Sequence, residues 1–101
     1  MAVKAVLKID LLGDPSPNQC RSFYQELSTK NWQKMNGEEK LLVIYNNLVS
    51  YEEALETIKK ELSDAAETSS ITRYGALVHF VESNVVVFFC GKSEAAEKSN
   101  L

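Results

Sequence analysis

From residue 2 to residue 10 apolar and polar positions alternate, with Val3, Ala5, Leu7 and Ile9 on one side and Lys4, Val6, Lys8 and Asp10 on the other. A period of two predicts a strand with one buried and one largely polar face. The turn segment Gly13-Asp14-Pro15-Ser16-Pro17 interrupts it. Ser16, with Pro17 at the first helical position and Gln19 three residues on, makes a capping box that opens a helix. Cys20, Phe23, Tyr24 and Leu27 then fall on one helical face, and Asn31 lies near the helix end. Residues 32–35 read as a short strand, and Asn36-Gly37 suits a tight hairpin. Leu41-Leu42-Val43-Ile44-Tyr45 is apolar without alternation, as expected of an interior strand or one beside a parallel neighbour.

Ser50 and Glu53 form a second capping box, after which Tyr51, Leu55, Ile58, Leu62 and Ala65 recur every three or four residues. This helix is acidic outside, carrying Glu52, Glu53, Glu56, Glu61, Asp64 and Glu67 against Lys59 and Lys60. Residues 71–82 and 85–90 are rich in β-branched and aromatic side chains, and Ser83-Asn84 separates them, giving two further strands. Gly91 ends the fold in this reading, leaving 92–101 as a polar, flexible tail.

The order of elements predicts a single α+β domain over residues 1–91, a ferredoxin-like plait (βαββαβ) with an additional C-terminal β-strand. Its expected strand order is 4-1-3-2, with each helix a crossover joining parallel neighbours and both helices on one sheet face. A chain of 101 residues buries enough surface to need neither metal nor disulfides. The longest uncharged apolar run, 85–90, falls far short of the about 20 residues that span a bilayer, so neither a membrane segment nor a signal peptide is expected. Cys20 and Cys90 lack the paired spacing of a zinc or redox motif. They are expected to be buried thiols in a reducing cytoplasm, with no disulfide-linked partner.

Charge divides the chain. Residues 1 to 34 hold five Lys or Arg against three acids, and the remainder six against eleven, within a net charge of −3. An acidic total argues against general nucleic-acid binding but allows a local basic surface. Lys4, Lys8, Arg21, Lys30, Trp32 and Lys34 are the candidates for such a surface, offering phosphate contacts beside a stacking ring to an RNA or protein partner.

The fifth strand has strong β propensity and no charge or proline over residues 85–89, so its edge must be covered. Two arrangements satisfy this: a local hairpin within the monomer, or pairing across a twofold axis in a homodimer with Val85, Val87 and Phe89 at the interface.

Catalytic templates are largely missing: there is no Gly-rich phosphate loop or nucleophile elbow, and a triad would have to be built on the one histidine, His79. His79 shares strand parity with Arg73, Gly75 and Leu77, which places it on the open sheet face. Asp14 is an ordinary turn acid before proline. Asp10, closing the first strand after Val6-Leu7-Lys8-Ile9, is the candidate catalytic residue; two copies meeting at a dimer axis could hold a hard divalent cation.

This element order, the extra strand and the acid at the end of strand one resemble the small Cas-type endonucleases of CRISPR adaptation and the GhoS-type endoribonuclease antitoxins of bacteria. The resemblance implies a dimer acting on nucleic acid and, where catalytic, Asp10 with Mg²⁺. The residues themselves favour a cytoplasmic, homodimeric regulatory protein that binds another macromolecule and needs no cofactor, with the metal-dependent nuclease as the alternative.

Overall fold

The computed structural model describes residues 3–35, 40–46 and 50–92. Asn36-Gly37 and the tail beyond residue 92 lie outside the described residues. The elements are β1 (Val3–Leu12), α1 (Pro17–Ser28), β2 (Gln33–Lys34), β3 (Leu41–Tyr45), α2 (Tyr51–Ser69), β4 (Arg73–Phe80) and β5 (Val85–Lys92).

The strands form one sheet in the order β2-β3-β1-β4-β5, every neighbouring pair antiparallel. This is an α+β fold compatible with a ferredoxin-like plait. The expected parallel neighbours are absent from it: each helical crossover skips a position in the sheet, and the strand filling that position runs the other way. β3 lies between β2 and β1, and β1 between β3 and β4. β3 is thus interior to the sheet, but only Leu41 and Val43 of its apolar run are buried, and Ile44 is exposed on the other face.

Two turn residues with left-handed backbone, Gly13 (φ 79°) and Asp14 (φ 57°), reverse the chain after β1. The Ser16 capping box forms reciprocally: the Gln19 amide donates to Ser16 Oγ at 3.2 Å, and the Ser16 amide to Gln19 Oε1 at 2.8 Å. At α2 only half of the expected box is made, with the Glu53 amide donating to Ser50 Oγ at 3.2 Å. Ser70, left-handed at φ 60°, ends that helix.

Register confirms one apolar face. Ala5 lies between Val43 and Phe80, and Leu7 between Leu41 and Val78; further along, Ala76 is flanked by Ile9 and Phe89. The helices cover this face with Phe23 and Leu27 from α1 and Ala54, Ile58, Leu62, Ala65 and Ala66 from α2, all buried. Three expected edges of elements shift. β1 runs past Asp10 to Leu12 because β4 offers it Tyr74 and Arg73 as partners. α1 stops at Ser28, where Thr29 caps it. β5 continues through Gly91, opposite Tyr74.

Candidate functional site

No helix of the described residues covers the second face of the sheet. Strand alternation delivers to it Lys4, Val6, Lys8, Asp10 and Leu12 from β1, Leu42 and Ile44 from β3, Arg73, Gly75, Leu77 and His79 from β4, and Val86, Phe88, Cys90 and Lys92 from β5. Ordinary solvated sheet faces are polar. Here Leu12, Ile44 and Leu77 are exposed, Val86 is 56% exposed and Phe88 65%. The apolar centre is ringed by charge: four cations, Lys4, Lys8, Arg73 and Lys92, against Asp10 among the described strand residues of this face.

Gly75 shapes the middle of the surface. A Cβ there would stand 3.6 Å from the Phe88 ring, so the ring lies over the glycine and keeps its outer side open. His79 sits one row along, its Nε2 3.0 Å from Asn84 Oδ1 in the turn between β4 and β5. The His79 parity expected from the sequence is thus met, and this side chain is held by a turn residue.

The six basic and aromatic candidates do not converge. Lys4 and Lys8 are on the open face. Arg21 and Lys30 belong to the helical layer and its C-terminal turn, where Lys30 Nζ lies 3.8 Å from both Glu26 and Asp64. Trp32 is 4% exposed, and its indole Nε1 donates to Glu61 Oε2 at 3.4 Å. Lys34 is exposed on the edge strand β2, paired with Leu41. Trp32 is therefore not offered for base stacking; Phe88, whose side is set by its register with Leu77, is the exposed ring of the open face.

Glu61 is drawn inward from the acidic face of α2, because the Tyr45 hydroxyl also donates to its Oε1. Burial first, then that carboxylate, holds the Tyr45 hydroxyl well above the usual phenol range. Val85, Val87 and Phe89 likewise face the core side, packed against the buried cluster, with the Lys59 ammonium 5.4 Å from the centre of the Phe89 ring. Cys90 is exposed rather than buried, because it follows Phe89 onto the open side; Cys20 is half-buried on α1.

Asp10 is exposed, with Gly75 beside it in register and Cys90 one strand further. Neither partner supplies a second carboxylate, and among the described residues no group of three His, Cys, Asp or Glu side chains is arranged to hold a metal. The residues around Asp10 in one chain do not fit a magnesium site, which needs several oxygen ligands. Comparison of the chain with protein-family models, curated proteins and solved structures finds no match. No helix of the described residues is long and apolar enough to cross a membrane. The site's own chemistry is an apolar, aromatic centre on an antiparallel sheet, bordered by cations.

Proposed function

We propose that this is a small cytoplasmic regulatory protein, a ferredoxin-like plait extended by β5, that binds single-stranded nucleic acid across its open sheet face as a homodimer. The observation that carries this reading is the exposed Phe88 on a sheet face that also bears Lys8, Arg73 and Lys92, in an otherwise acidic chain. A ring open on one side stacks on any base, and flanking cations meet the phosphates. Each stacked base contributes about 1–3 kcal/mol, and each phosphate contact adds to the salt dependence. Net positive charge makes the same face a poor partner for a copy of itself, so self-association falls to the outer edge of β5. That edge is eight residues long, pairs with no strand among the described residues and carries charge only at Lys92. Edge-to-edge pairing would place two open faces side by side as one broader platform. Two thiols outside any disulfide suit a reducing compartment.

In such a dimer two Asp10 residues are separated by β4 and β5 of both copies, so about 24 Å or more of sheet lies between them at the usual strand spacing. A shared divalent ion and a β5-edge dimer therefore exclude each other. The test is fluorescence polarisation with a labelled single-stranded RNA oligonucleotide at several salt concentrations. Binding should weaken with salt, Lys8→Glu should flatten that dependence, and Phe88→Ala should cost about tenfold or more in affinity. RNA binding that is missing at low salt, or unchanged in both variants, would overturn the proposal. Mg²⁺-dependent cleavage lost in Asp10→Asn would instead establish the nuclease reading.

A further inference from the structure

On the open face the ring of Phe88 leans from β5 across β4. A Cβ built at Gly75 would lie 3.6 Å from Cζ of that ring and 3.7 Å from Cε2, so it is the far end of the ring that reaches over the glycine. Gly75 is buried although it belongs to the open face, because the ring covers it. Asp10 is the register partner of Gly75 on β1, one strand beyond, at the usual spacing of about 5 Å. The ring is thus aimed at the strand that carries Asp10, and glycine puts no side chain between the two. Asp10 is exposed, and among the described residues no hydrogen bond or ion pair engages it. It is also the one acid of this face among the described strand residues, with Lys8 two residues before it and Arg73 and Lys92 a row beyond. A carboxylate on a surface that attracts phosphates opposes that attraction. It gains only where N–H donors of the ligand meet it.

We infer that Asp10 makes the open face selective for guanine, by accepting hydrogen bonds from the base stacked on Phe88; the inference rests on the nucleic-acid reading above. A base lying on the outer side of the ring extends past Gly75 and presents an edge to Asp10. A carboxylate accepts at both oxygens and donates at neither. Guanine alone among the RNA bases carries two adjacent donors on its Watson–Crick edge, N1–H and the 2-amino group, which match those two oxygens. In adenine and cytosine the amino group sits beside a ring nitrogen with a bare lone pair, and in uracil the imino N–H lies between two carbonyl oxygens. Each of these sets an acceptor against the carboxylate. Single-stranded RNA leaves this edge free to be read. A guanine preference arising from Lys8 or Arg73 would act instead through O6 and N7, on another edge of the base.

The test is fluorescence polarisation of the full chain with labelled heptauridines whose central residue is uridine, adenosine, guanosine, inosine or 7-deazaguanosine, at low salt with EDTA so that no metal-dependent cleavage contributes. Adenosine controls for the stronger stacking of a purine. Guanosine should bind about tenfold or more tightly than adenosine. Inosine, which lacks the 2-amino group, should lose most of that gain, and 7-deazaguanosine, whose Watson–Crick edge is intact, should keep it. Asp10→Asn preserves the shape but exchanges one acceptor for a donor, and should bring the ratio of guanosine to adenosine close to one. The position is exposed, so this variant has little reason to misfold. Glu67→Gln, exposed on α2, removes the same charge elsewhere and should leave the ratio as it is. Equal affinity for guanosine and adenosine, a preference that inosine retains in full, or one that survives Asp10→Asn would overturn the inference while the nucleic-acid reading stands. Failure of every oligonucleotide to bind would overturn that reading and the inference with it.

Discussion

Tyr74 explains why residue 91 is glycine. A Cβ at Gly91 would fall on the Tyr74 ring, 2.7 Å from Cε2 and nearer still to Cζ and the hydroxyl oxygen, and Tyr74 is itself buried. Gly91→Ala should therefore destabilise the fold by about 1–3 kcal/mol, the usual cost of overpacking, measured as a lower urea midpoint with unchanged slope. The Tyr45 hydroxyl gives a second prediction. Its proton is held by burial and by the Glu61 carboxylate, so its folded pKa lies above the unfolded value of about 10. A raised pKa contributes stability that is fully present below the unfolded value and is lost as pH rises above it, when the unfolded chain ionises first. The melting temperature should thus hold to about pH 9 and fall beyond pH 10, and Tyr45→Phe should make that fall shallower. Tyr74, raised by burial, supplies part of what remains. Cys90 and Cys20 sit on opposite sides of the sheet, one exposed and one half-buried. Thiol labelling of the native protein should show one fast-reacting group, absent in Cys90→Ser and protected when nucleic acid covers the open face.

Among the elements, β5 has the sharpest division of labour. Its odd positions are half-buried and its even positions exposed along its whole length, so Val85, Val87 and Phe89 anchor it while Val86 and Phe88 remain outside. A hydrophobic edge of this length, charged only at Lys92, invites pairing. Val86→Glu puts a charge on this edge strand without touching the core, and should shift a dimer toward monomer by light scattering. The core side responds differently: Phe80, 1% exposed, packs 5.7 Å from the ring of Tyr51, and Phe80→Ala should cost about 3–5 kcal/mol. α2 shows how a helix can satisfy two demands with one face. Most of its acids remain in solvent, but Glu61 turns inward because the Tyr45 hydroxyl and the Trp32 indole both need an acceptor at the core margin.

For the molecule as a whole, the two layers have opposite electrical character. The sheet presents cations around an apolar centre, and α2 presents Glu52, Glu53, Glu56, Asp64 and Glu67 to solvent. A net charge of −3 conceals this asymmetry, which would orient an approaching polyanion toward the sheet and away from the helices. Exposed ion pairs such as Lys59 with Glu56 at 3.9 Å contribute little to stability. Salt should therefore weaken nucleic-acid binding while leaving the unfolding midpoint nearly unchanged, two responses that can be measured on the same sample.

Periodicity was enough to locate both helices, all five strands and the first capping box, because each depends on neighbours no more than a few residues away. The alternation of β1 also sorted its side chains between two faces, and the parity of His79 followed from β4 alone. Long-range pairing settled the rest. Whether β1 ends at Asp10 depends on the partners β4 extends to it; whether Glu61 is solvated depends on two aromatic groups 16 and 29 residues away. Trp32 reads as a stacking ring until α2 covers it, and Phe88, unremarked in a hydrophobic run, becomes the exposed aromatic once register with Leu77 sets its side. Composition and local pattern name the groups a surface can contain, but their convergence is a property of strand order and register, to which residues far apart in the chain contribute equally.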